Sequence, residues 1–344
     1  MRVYLLLLCL LVSSRLTLAA SLTIGPDDAL APAVAQLRPG DTLTLRGGTY
    51  AQPLRSGDVF FPSGTSWDQA ITIQGAPGET VTFTQPVNIQ ANSDGSPVSY
   101  LVLQNLHMPS VRIADQSHHV RLTQSEVSGD GNSAVVITHT TDAVELININ
   151  EHGAAVSFDN GATTSHYGCY CNGDHMLIED STFSQNSGYA LHLYLSGSTV
   201  NNAIVRRNTF RGNAYDDGGR NLTLGVVILD GSNNLFCGNT LTDNPTLHGG
   251  PAVSVINGSG NQITGNTITG TNGPAIELHD SAPGTLVAGN TLVGNKGAIV
   301  GPGMASMITT TTVDCAAPLA VPSPVPVAQR PPAPTHLRLL AILP

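Results

Sequence analysis

The chain has 344 residues, of which 11% are charged and 5% aromatic, and it contains 36 glycines and 22 prolines. Its formal net charge is −10, which excludes the broadly basic surface of a nucleic-acid-binding protein. Few charges and many turn-forming residues favour a fold of short strands and tight turns. We therefore expect no nucleic-acid partner.

Residues 1–20 have the pattern of a secretory signal peptide, with Arg2, an apolar run from Leu5 to Val12, and small residues at Ala19 and Ala20. The apolar run is shorter than a membrane span, and no later segment is long and apolar enough to be one. We therefore predict a secreted or extracytoplasmic protein without a membrane-embedded region.

Four cysteines remain after the signal peptide: Cys169, Cys171, Cys237 and Cys315. Cys169 and Cys171 are two positions apart on a predicted strand and face the same way, which is typical of core residues. A Cys237–Cys315 bridge would fasten the C-terminal segment, although spacing alone leaves the connectivity open.

A helix is predicted over residues 29–37, because Asp27 and Asp28 precede a short apolar-periodic run and can cap it. The turn at Pro39-Gly40-Asp41 then leads into a strand from Thr42 to Arg46. A helix in this place would cover the open end of a stack of strands.

One phrase recurs four times, as NTFRGN, NTLTDN, NTITGT and NTLVGN, beginning at Asn208, Asn239, Asn266 and Asn290. Successive copies start 31, 27 and 24 residues apart, which is the spacing of single coils in a solenoid. We expect the asparagines to stack as a hydrogen-bonded ladder at a bend. The predicted earlier members are Ser181, Asn148 and Asn105.

A second sequence motif predicts one strand in each coil: GYALHLY (188–194), LGVVILDG (224–231), GPAVSVING (250–258) and GPAIELHD (273–280). Alternation places one set of side chains inside the coil, namely Leu191, Val226, Val253 and Ile276. The outward set is His192, Val227, Ser254 and Glu277, followed by Tyr194, Leu229, Ile256 and His279.

Two stretches are longer than a coil needs. The segment from Asn148 to Gly168 spans 20 residues where Ser181 to Ala190 spans 9, so most of 151–165 is an insertion over the outward face. In the alternative register, 155–158 is the strand and 161–167 the insertion. A second insertion, 212–224, falls at the same junction, and two such loops would form the walls of a groove.

Three segments carry a family resemblance: LRPGDTLTLRGGTY (37–50), ITIQGAPGETVTF (71–83) and YLVLQNLHM (100–108). They resemble the opening of right-handed parallel β-helix proteins of the pectin-lyase-like superfamily, including its chondroitinase-B and alginate-lyase branch. Residues 166–194 resemble a secreted β-helix family that reads His-Gly-x-Tyr and then Gly-Tyr-Gly-x-His-x-Tyr, from which this chain departs by inserting Tyr167. The resemblance implies an all-β, right-handed parallel β-helix with an N-terminal capping helix.

The predicted organisation is a signal peptide at 1–20, a parallel β-helix domain at 21–312, and a Pro-rich tail at 313–344 that cannot form solenoid strands. We expect a monomer.

The candidate site lies between the two insertions. Residues in register on adjacent parallel strands are about 4.8 Å apart, which sets Tyr170 beside His192 and Asn172 beside Tyr194. The predicted catalytic residues are His166, Tyr170, His192 and Tyr194. The predicted substrate-binding residues are Asn172, His175 and Arg220, and the predicted metal ligands are Asp159, Asp174, Asp216 and Asp217.

A cluster of His and Tyr suits an acidic sugar, because either group can take the proton from carbon 5 of a uronic acid. Members of the resembled lyases neutralise the uronate with Ca²⁺ or with polar side chains, so the resemblance implies Ca²⁺ as the candidate cofactor, with no cofactor as the alternative. The lysine base of the chondroitinase-B type is not seen, since the single lysine, Lys296, lies several coils away. We therefore predict a lyase acting on acidic polysaccharide. The alternative is a non-catalytic glycan-binding or surface solenoid.

Arg206 and Arg207 are predicted to pair with Glu179 and Asp180 one coil earlier on another face, as cross-strand salt bridges.

Overall fold

The computed structural model describes residues 19–129, 133–155, 157–159, 162–164, 167–194, 199–219 and 223–301, together with 197, 221, 308, 309 and 315. For 157–159, 162–164 and 308–309 only the backbone is described. Residues 1–18 of the predicted signal peptide, and all of the predicted tail except Cys315, lie outside these ranges. No helix in the described part of the chain is long and apolar enough to cross a membrane.

The described chain is built almost entirely from short strands. Its first strands are β1 (Ser21–Ile24), β2 (Thr42–Leu45), β3 (Gly48–Tyr50), β4 (Ile71–Gly75), β5 (Val81–Phe83), β6 (Val87–Ile89), β7 (Ser99–Gln104), β8 (His107–Met108), β9 (Val111–Ile113), β10 (His118–Thr123) and β11 (Glu126–Val127). The middle strands are β12 (Val135–Ile137), β13 (Glu145–Ile147), β14 (Asn150–His152), β15 (Ser157–Asp159), β16 (Ala162–Thr164), β17 (Cys169–Cys171), β18 (Leu177–Glu179), β19 (Thr182–Ser184), β20 (Leu191–Leu193), β21 (Ile204–Arg206) and β22 (Thr209–Arg211). The last strands are β23 (Val227–Asp230), β24 (Leu235–Cys237), β25 (Thr240–Thr242), β26 (Val253–Asn257), β27 (Gln262–Thr264), β28 (Thr267–Thr269), β29 (Pro274–Leu278), β30 (Leu286–Ala288), β31 (Thr291–Val293), β32 (Gly297–Val300) and β33 (Ile308–Thr309). One α-helix, α1 (Leu30–Ala35), and two 3₁₀ helices, Trp67–Gln69 and Leu247–Gly249, complete the described elements.

These strands stack as successive coils of a parallel β-helix. In the described residues the first sheet has twelve strands, in the order β1-β2-β4-β7-β10-β13-β18-β21-β24-β27-β30-β33. The second has ten, β3-β5-β8-β11-β14-β19-β22-β25-β28-β31, and the third has nine, β32-β29-β26-β23-β20-β17-β12-β9-β6. Each strand pairs with the strand one coil later, so every coil buries its apolar face on the next. The predicted all-β parallel solenoid is confirmed.

The interior is filled by rows of identical or similar side chains. Phe183, Phe210 and Phe236 are fully buried and stack, with ring centroids 5.4 Å apart for the first pair and 6.0 Å for the second. Burying one such side chain contributes roughly 1.5–3 kcal/mol, so each coil contributes only a small part of the stability and relies on its neighbours.

The predicted asparagine ladder is present. Asn239 Oδ1 accepts hydrogen bonds from the backbone N–H and the side-chain Nδ2 of Asn208, at 2.9 and 3.0 Å. The same two bonds join Asn239 to Asn266, and Asn266 to Asn290. The backbone N–H of Ser181 donates to Asn208 Oδ1, so Ser181 continues the ladder as predicted.

The two earliest predicted rungs are wrong by one residue. The backbone N–H of Ile149 donates to Ser181 Oγ, and that of Leu106 donates to Ser125 Oγ. Ile149 and Leu106 therefore occupy the ladder positions of their coils. The predicted residues Asn105 and Asn148 each lie one position earlier, directly before Leu106 and Ile149, at φ of 54° and 53°. Asparagine tolerates this left-handed conformation, which turns the chain at that corner.

Two further ladders stabilise the other corners and were not predicted. Asn213 Oδ1 accepts from both the backbone and the side chain of Asn186, and Asn244 Oδ1 does the same for Asn213. At the third corner the N–H of Asn234 donates to Asn261 Oδ1.

One register in the third sheet differs from the prediction. Leu191 pairs with Val227, and His192 with Ile228, so Val227 points inward instead of Val226. The carbonyl of Val226 accepts the N–H groups of both Ala190 and Leu191, which makes it a corner residue. The second insertion therefore ends later than predicted, and the inward-facing residues of this strand are shifted by one position toward the C-terminus.

The helix α1 is shorter than predicted. Its N-cap is Ala29, without a side-chain cap, because Asp28 Oδ2 instead accepts the N–H of Gly25. The prediction that Asp27 or Asp28 caps the helix is therefore wrong. Leu30, Ala33 and Val34 join the same apolar cluster as the strands, and a role in covering the end of the solenoid stays a prediction.

The structure pairs Cys237 with Cys315, with Cα atoms 5.7 Å apart, and also pairs Cys169 with Cys171. Both members of the second pair are fully buried, as expected for core residues. The predicted cross-coil ion pairs are present: Arg206 contacts Glu179, and Arg207 contacts Glu179 and Asp180.

Candidate active site

Tyr170 and His192 lie side by side on the outward face of the third sheet. Strand β17 pairs with β20 in parallel, and the register sets Tyr170 opposite His192. Their ring centroids are 5.0 Å apart and their planes differ by 21°, which confirms the predicted neighbours. The residues on either side of them in the two strands are fully buried, so strand alternation directs both rings away from the core.

Four tyrosines surround His192, and we call this group the tyrosine cluster: Tyr167, Tyr170, Tyr189 and Tyr194. The Tyr167 ring stacks on the imidazole, with centroids 4.5 Å apart and planes 9° apart. Tyr189 and Tyr194 meet it edge-on, at 5.3 and 5.5 Å. His192 is consequently only 7% exposed although it points outward.

Burial controls the charge of this site. Removal from water lowers the pKa of His192 to about 4, because the cluster disfavours the imidazolium form. Its Nδ1 atom is buried and has no hydrogen-bond partner. Burial also raises the pKa of Tyr189 above its ordinary value. The imidazole is therefore neutral at neutral pH and retains an unused ring nitrogen.

The first predicted insertion contains an antiparallel pair of strands. Strands β15 and β16 pair in antiparallel fashion, between β14 of the second sheet and β17 of the third. Because β17 pairs with β12 and β20, the strand of this coil is Cys169–Cys171, and the alternative with a strand at 155–158 is excluded. Tyr167 follows this strand pair in the sequence.

The second insertion also lies between the second and third sheets, two coils later. The N–H of Ala214 donates to the carbonyl of Gly188, and that of Asp216 to the carbonyl of Ser187, at 3.0 and 3.2 Å. These bonds attach the insertion to the segment that precedes Tyr189. The two insertions thus flank the coil that carries Tyr189 and His192, as the sequence predicted.

The predicted metal ligands whose side chains are described, Asp174, Asp216 and Asp217, do not form a group of metal ligands. Asp174 Oδ1 accepts from the backbone and side chain of Asn201, at 2.7 and 3.3 Å. Asp216 accepts the N–H of Gly218, while Asp217 accepts that of Gly219 and lies 3.4 Å from His248. Of Asp159 only the backbone is described, in β15. Across the described residues no group of three or more His, Cys, Asp or Glu side chains converges as metal ligands would.

Two of the predicted substrate-binding residues, Asn172 and His175, are described and differ in their surroundings. Asn172 follows β17, is buried, and has an Oδ1 atom without a hydrogen-bond partner. His175 is exposed at the next corner, where Nδ1 lies 2.7 Å from Asp142 and Nε2 lies 3.2 Å from Asn202. These bonds to the preceding and following coils indicate a structural role. His166 and Arg220 lie outside the described residues.

Residues 88–313 match the family model described as a right-handed β-helix region. The chain belongs to the right-handed β-helix family. A search of curated proteins found no match.

Solved β-helix structures resemble this one at low sequence identity. The alginate lyase from Paenibacillus sp. str. FPU-7 has a TM-score of 0.62 and 14% identity, covering 85% of this chain and 99% of that one. ORF18 of Geobacillus virus E2 has a TM-score of 0.50 and 15% identity, covering 76% and 51%. The PL6 family polysaccharide lyase Pedsa3628 from Pseudopedobacter saltans has a TM-score of 0.50 and 12% identity, covering 82% and 78%. These similarities concern the fold alone.

This β-helix also contains a buried carboxyl that the sequence analysis missed. Glu151 is fully buried, its Oε2 accepts from Asn186 Nδ2 at 2.8 Å, and its Oε1 has no partner. Burial raises its pKa well above the ordinary value. A Cβ placed on Gly168 would lie 2.5 Å from Oε2, so the carboxyl sits against the backbone that joins Tyr167 to β17. Superposing the coils could have found it, since Glu151 pairs with Val127 and Phe183 at inward positions.

A second polar group lies farther along the same outward face. Ser254 pairs with Glu277, and Ser254 Oγ lies 3.3 Å from Glu277 Oε2 and 3.4 Å from His279 Nε2. Glu277 Oε2 approaches the same Nε2 atom at 3.3 Å. A nucleophile relay requires the acid and the hydroxyl on opposite ring nitrogens, so this arrangement does not activate Ser254.

Proposed function

We propose that this β-helix protein is a secreted enzyme that cleaves an acidic, uronic-acid-containing polysaccharide by β-elimination at the tyrosine cluster. The observation that carries the proposal is the in-register pair of Tyr170 and His192, placed outward between two insertions. The signal-peptide pattern of residues 1–20 supports secretion. The alginate lyase from Paenibacillus supplies a precedent for such chemistry on this fold.

In β-elimination a base removes the proton from carbon 5 of the uronate, the bond between carbon 4 and the glycosidic oxygen breaks, and a carbon 4–carbon 5 double bond forms. The departing oxygen takes a proton from an acid. His192 suits the base, because its imidazole is neutral at neutral pH. A bound uronate places negative charge beside this ring, which raises the pKa of His192 and favours proton uptake.

Tyr170 suits the acid, because its ring lies 5.0 Å from the imidazole on the adjacent strand. Tyr194 contacts His192 edge-on and offers a second hydroxyl or a stacking face for the sugar. Since His192 is 7% exposed, sugar reaches it only when a covering tyrosine rotates, and this rotation is part of the proposal.

Neutralisation of the uronate carboxylate is assigned to polar side chains, with His166, which directly follows the first insertion, and Arg220 of the second insertion as further candidates. Among the described side chains no group of three or more His, Cys, Asp or Glu converges, so the proposal assigns this role to the protein's own side chains. Assays with and without Ca²⁺ test this assignment.

A second candidate function is binding of a glycan without chemistry. The observation that favours it is the cover over His192, whose unpartnered Nδ1 is buried. Stacked aromatic rings alone bind sugar faces, and such a platform needs no reactive nitrogen.

The deciding experiment measures unsaturated uronate products and binding in parallel, on alginate, pectate and chondroitin sulfate. Tyr170→Phe keeps the ring and removes only the hydroxyl, and we expect product formation to fall by roughly 10²-fold or more with binding retained. His192→Gln should have a similar effect. Tyr100→Phe, on a different sheet, is the matched control and should leave activity unchanged.

Unaltered activity in Tyr170→Phe would remove that residue from the mechanism. Binding by the unmodified protein without any product on the whole panel would establish the second candidate instead.

A further inference from the structure

One arginine occupies the same outward row as the tyrosine cluster. The register of the third sheet aligns Asn88 with Arg112, Arg112 with Val136, and Val136 with Tyr170. Strands in a sheet lie about 4.8 Å apart, so Arg112 is about 9.6 Å from Tyr170 along the solenoid axis. An extended oligosaccharide of a few sugars spans this distance.

The charge of Arg112 has no counter-ion in the described structure. Each of six other described arginines contacts a carboxylate: Arg46, Arg55, Arg121, Arg206, Arg207 and Arg211. Of the arginines whose side chains are described, Arg38 and Arg112 make no such contact, and both are exposed. Only Arg112 of these two lies in the third sheet.

A shallow depression surrounds this side chain. It has a volume of about 330 Å³ and is lined by Arg112 with Pro86, Asn88, Ser110, Ser133 and Val136 among others. Asn88 Oδ1, on the neighbouring strand, is buried and accepts no hydrogen bond, so Arg112 does not donate to it. The guanidinium N–H groups therefore stay available to a ligand in the depression.

We propose that Arg112, with Ser110 and Ser133, forms a subsite that binds a carboxylate of the acidic polysaccharide about two strands from Tyr170. The polymer then runs along the solenoid axis, across β9, β12, β17 and β20. This inference rests on the proposed function for the identity of the polymer, but it requires binding and not cleavage.

Chemistry and long-range charge both favour this assignment. The planar guanidinium matches a carboxylate with two parallel hydrogen bonds, and the serine hydroxyls can donate to or accept from sugar hydroxyls. A protein of net charge −10 repels a polyanion, so a local unpaired cation has a large effect on where the polymer binds.

The test compares acidic oligosaccharides of two lengths, measured by calorimetry on the full-length protein. We expect Arg112→Gln to weaken binding of a hexasaccharide by roughly three- to thirtyfold, the range between an exposed ion pair and a charge-assisted hydrogen bond. A disaccharide is too short to reach from Tyr170 to the subsite. Its affinity for the tyrosine cluster should therefore be the same in Arg112→Gln and in the unmodified protein. The difference for the hexasaccharide should shrink in high salt.

Arg38→Gln is the matched control, because it removes the other exposed arginine without a carboxylate partner and should change neither affinity. Equal hexasaccharide affinity for Arg112→Gln and the unmodified protein would overturn the subsite and leave the proposed active site standing. Tight binding that depends on Arg112 but yields no product would keep the subsite and overturn the lyase. A protein that binds no acidic oligosaccharide would overturn both.

Discussion

Glu151 gives the sharpest test of the interior, because a carboxyl occupies a core position between Val127 and Phe183. The substitution Glu151→Gln keeps its size and its hydrogen bond to Asn186, and it removes the ionisable proton. The protonated acid leaves one O–H donor without a partner and the amide leaves two N–H donors, so the two proteins differ by an offset that does not depend on pH, and the pH dependence of their difference reports the carboxyl.

The sign of the effect follows from proton binding. Burial raises the pKa of Glu151 in the folded protein above its ordinary value of 4.5. At higher pH the unfolded chain has lost the proton and the folded protein keeps it, so stability falls as pH rises, at about 1.4 kcal/mol per pH unit. The loss continues until the folded carboxyl ionises, and below pH 4.5 it vanishes. Glu151→Gln should therefore gain stability relative to the unmodified protein as the pH rises above 5, by about 1.4 kcal/mol per pH unit for as long as the folded carboxyl stays protonated.

The measurement is urea unfolding of both proteins at intervals from pH 4 to pH 8, compared as differences in the free energy of unfolding. His192, whose pKa is lowered to about 4, weakens the fold of both proteins as pH falls below 6.5, and this contribution cancels in the difference. Glu277→Gln, at a partly exposed position, is the control and should show a much flatter difference. Parallel curves for Glu151→Gln and the unmodified protein above pH 5 would refute the buried, protonated carboxyl.

Two further predictions concern the solenoid itself. Asn239→Ala should cost about 3 kcal/mol or more in urea unfolding, because it leaves the buried N–H and amide of Asn208 without an acceptor. The same change at the half-exposed Asn290 should cost clearly less, since water can replace its bonds, and equal losses would contradict the ladder. Cys315→Ser should lower stability by up to about 4 kcal/mol, since the bridge to Cys237 closes a loop with a sequence separation of 78. A peptide map without a Cys237–Cys315 crosslink would contradict that pairing.

The sequence repeats predicted most of the fold because each coil needs the same type of residue at the same position. A phrase that begins with asparagine recurs where a buried amide is needed once per coil, so Asn208, Asn239 and Asn266 were identifiable from spacing alone. Asn105 and Asn148 were misplaced because asparagine also suits the left-handed corner residue just before the ladder. Sequence pattern does not separate two adjacent positions that favour the same residue for different reasons.

Only those residues of the candidate site that lie within strands could be predicted from the sequence. Tyr170 and His192 follow from the period of two, and their neighbours in the next coil follow from register. Tyr167 and Tyr189 were not predicted to cover His192, because they lie just before the strands, at corners where no simple period fixes the direction of a side chain. The shift of Val227 arose at the same kind of corner, where the insertion ends.

The two buried ionisable groups explain what a polyanion would meet at this site. His192 on the outward face is neutral above pH ~4, and Glu151, held against Gly168 on the inner side of the wall, has a pKa raised by burial. In the pH range in which both side chains are uncharged, His192 and Glu151 neither attract nor repel a uronate. Attraction must then come from charge outside the tyrosine cluster, and on the described outward face of the third sheet Arg112 supplies it without a counter-ion. Raising the pH until Glu151 ionises in the folded protein would add a negative charge beneath the site, so affinity for an acidic polymer should fall at the pH where the stability difference between Glu151→Gln and the unmodified protein stops growing.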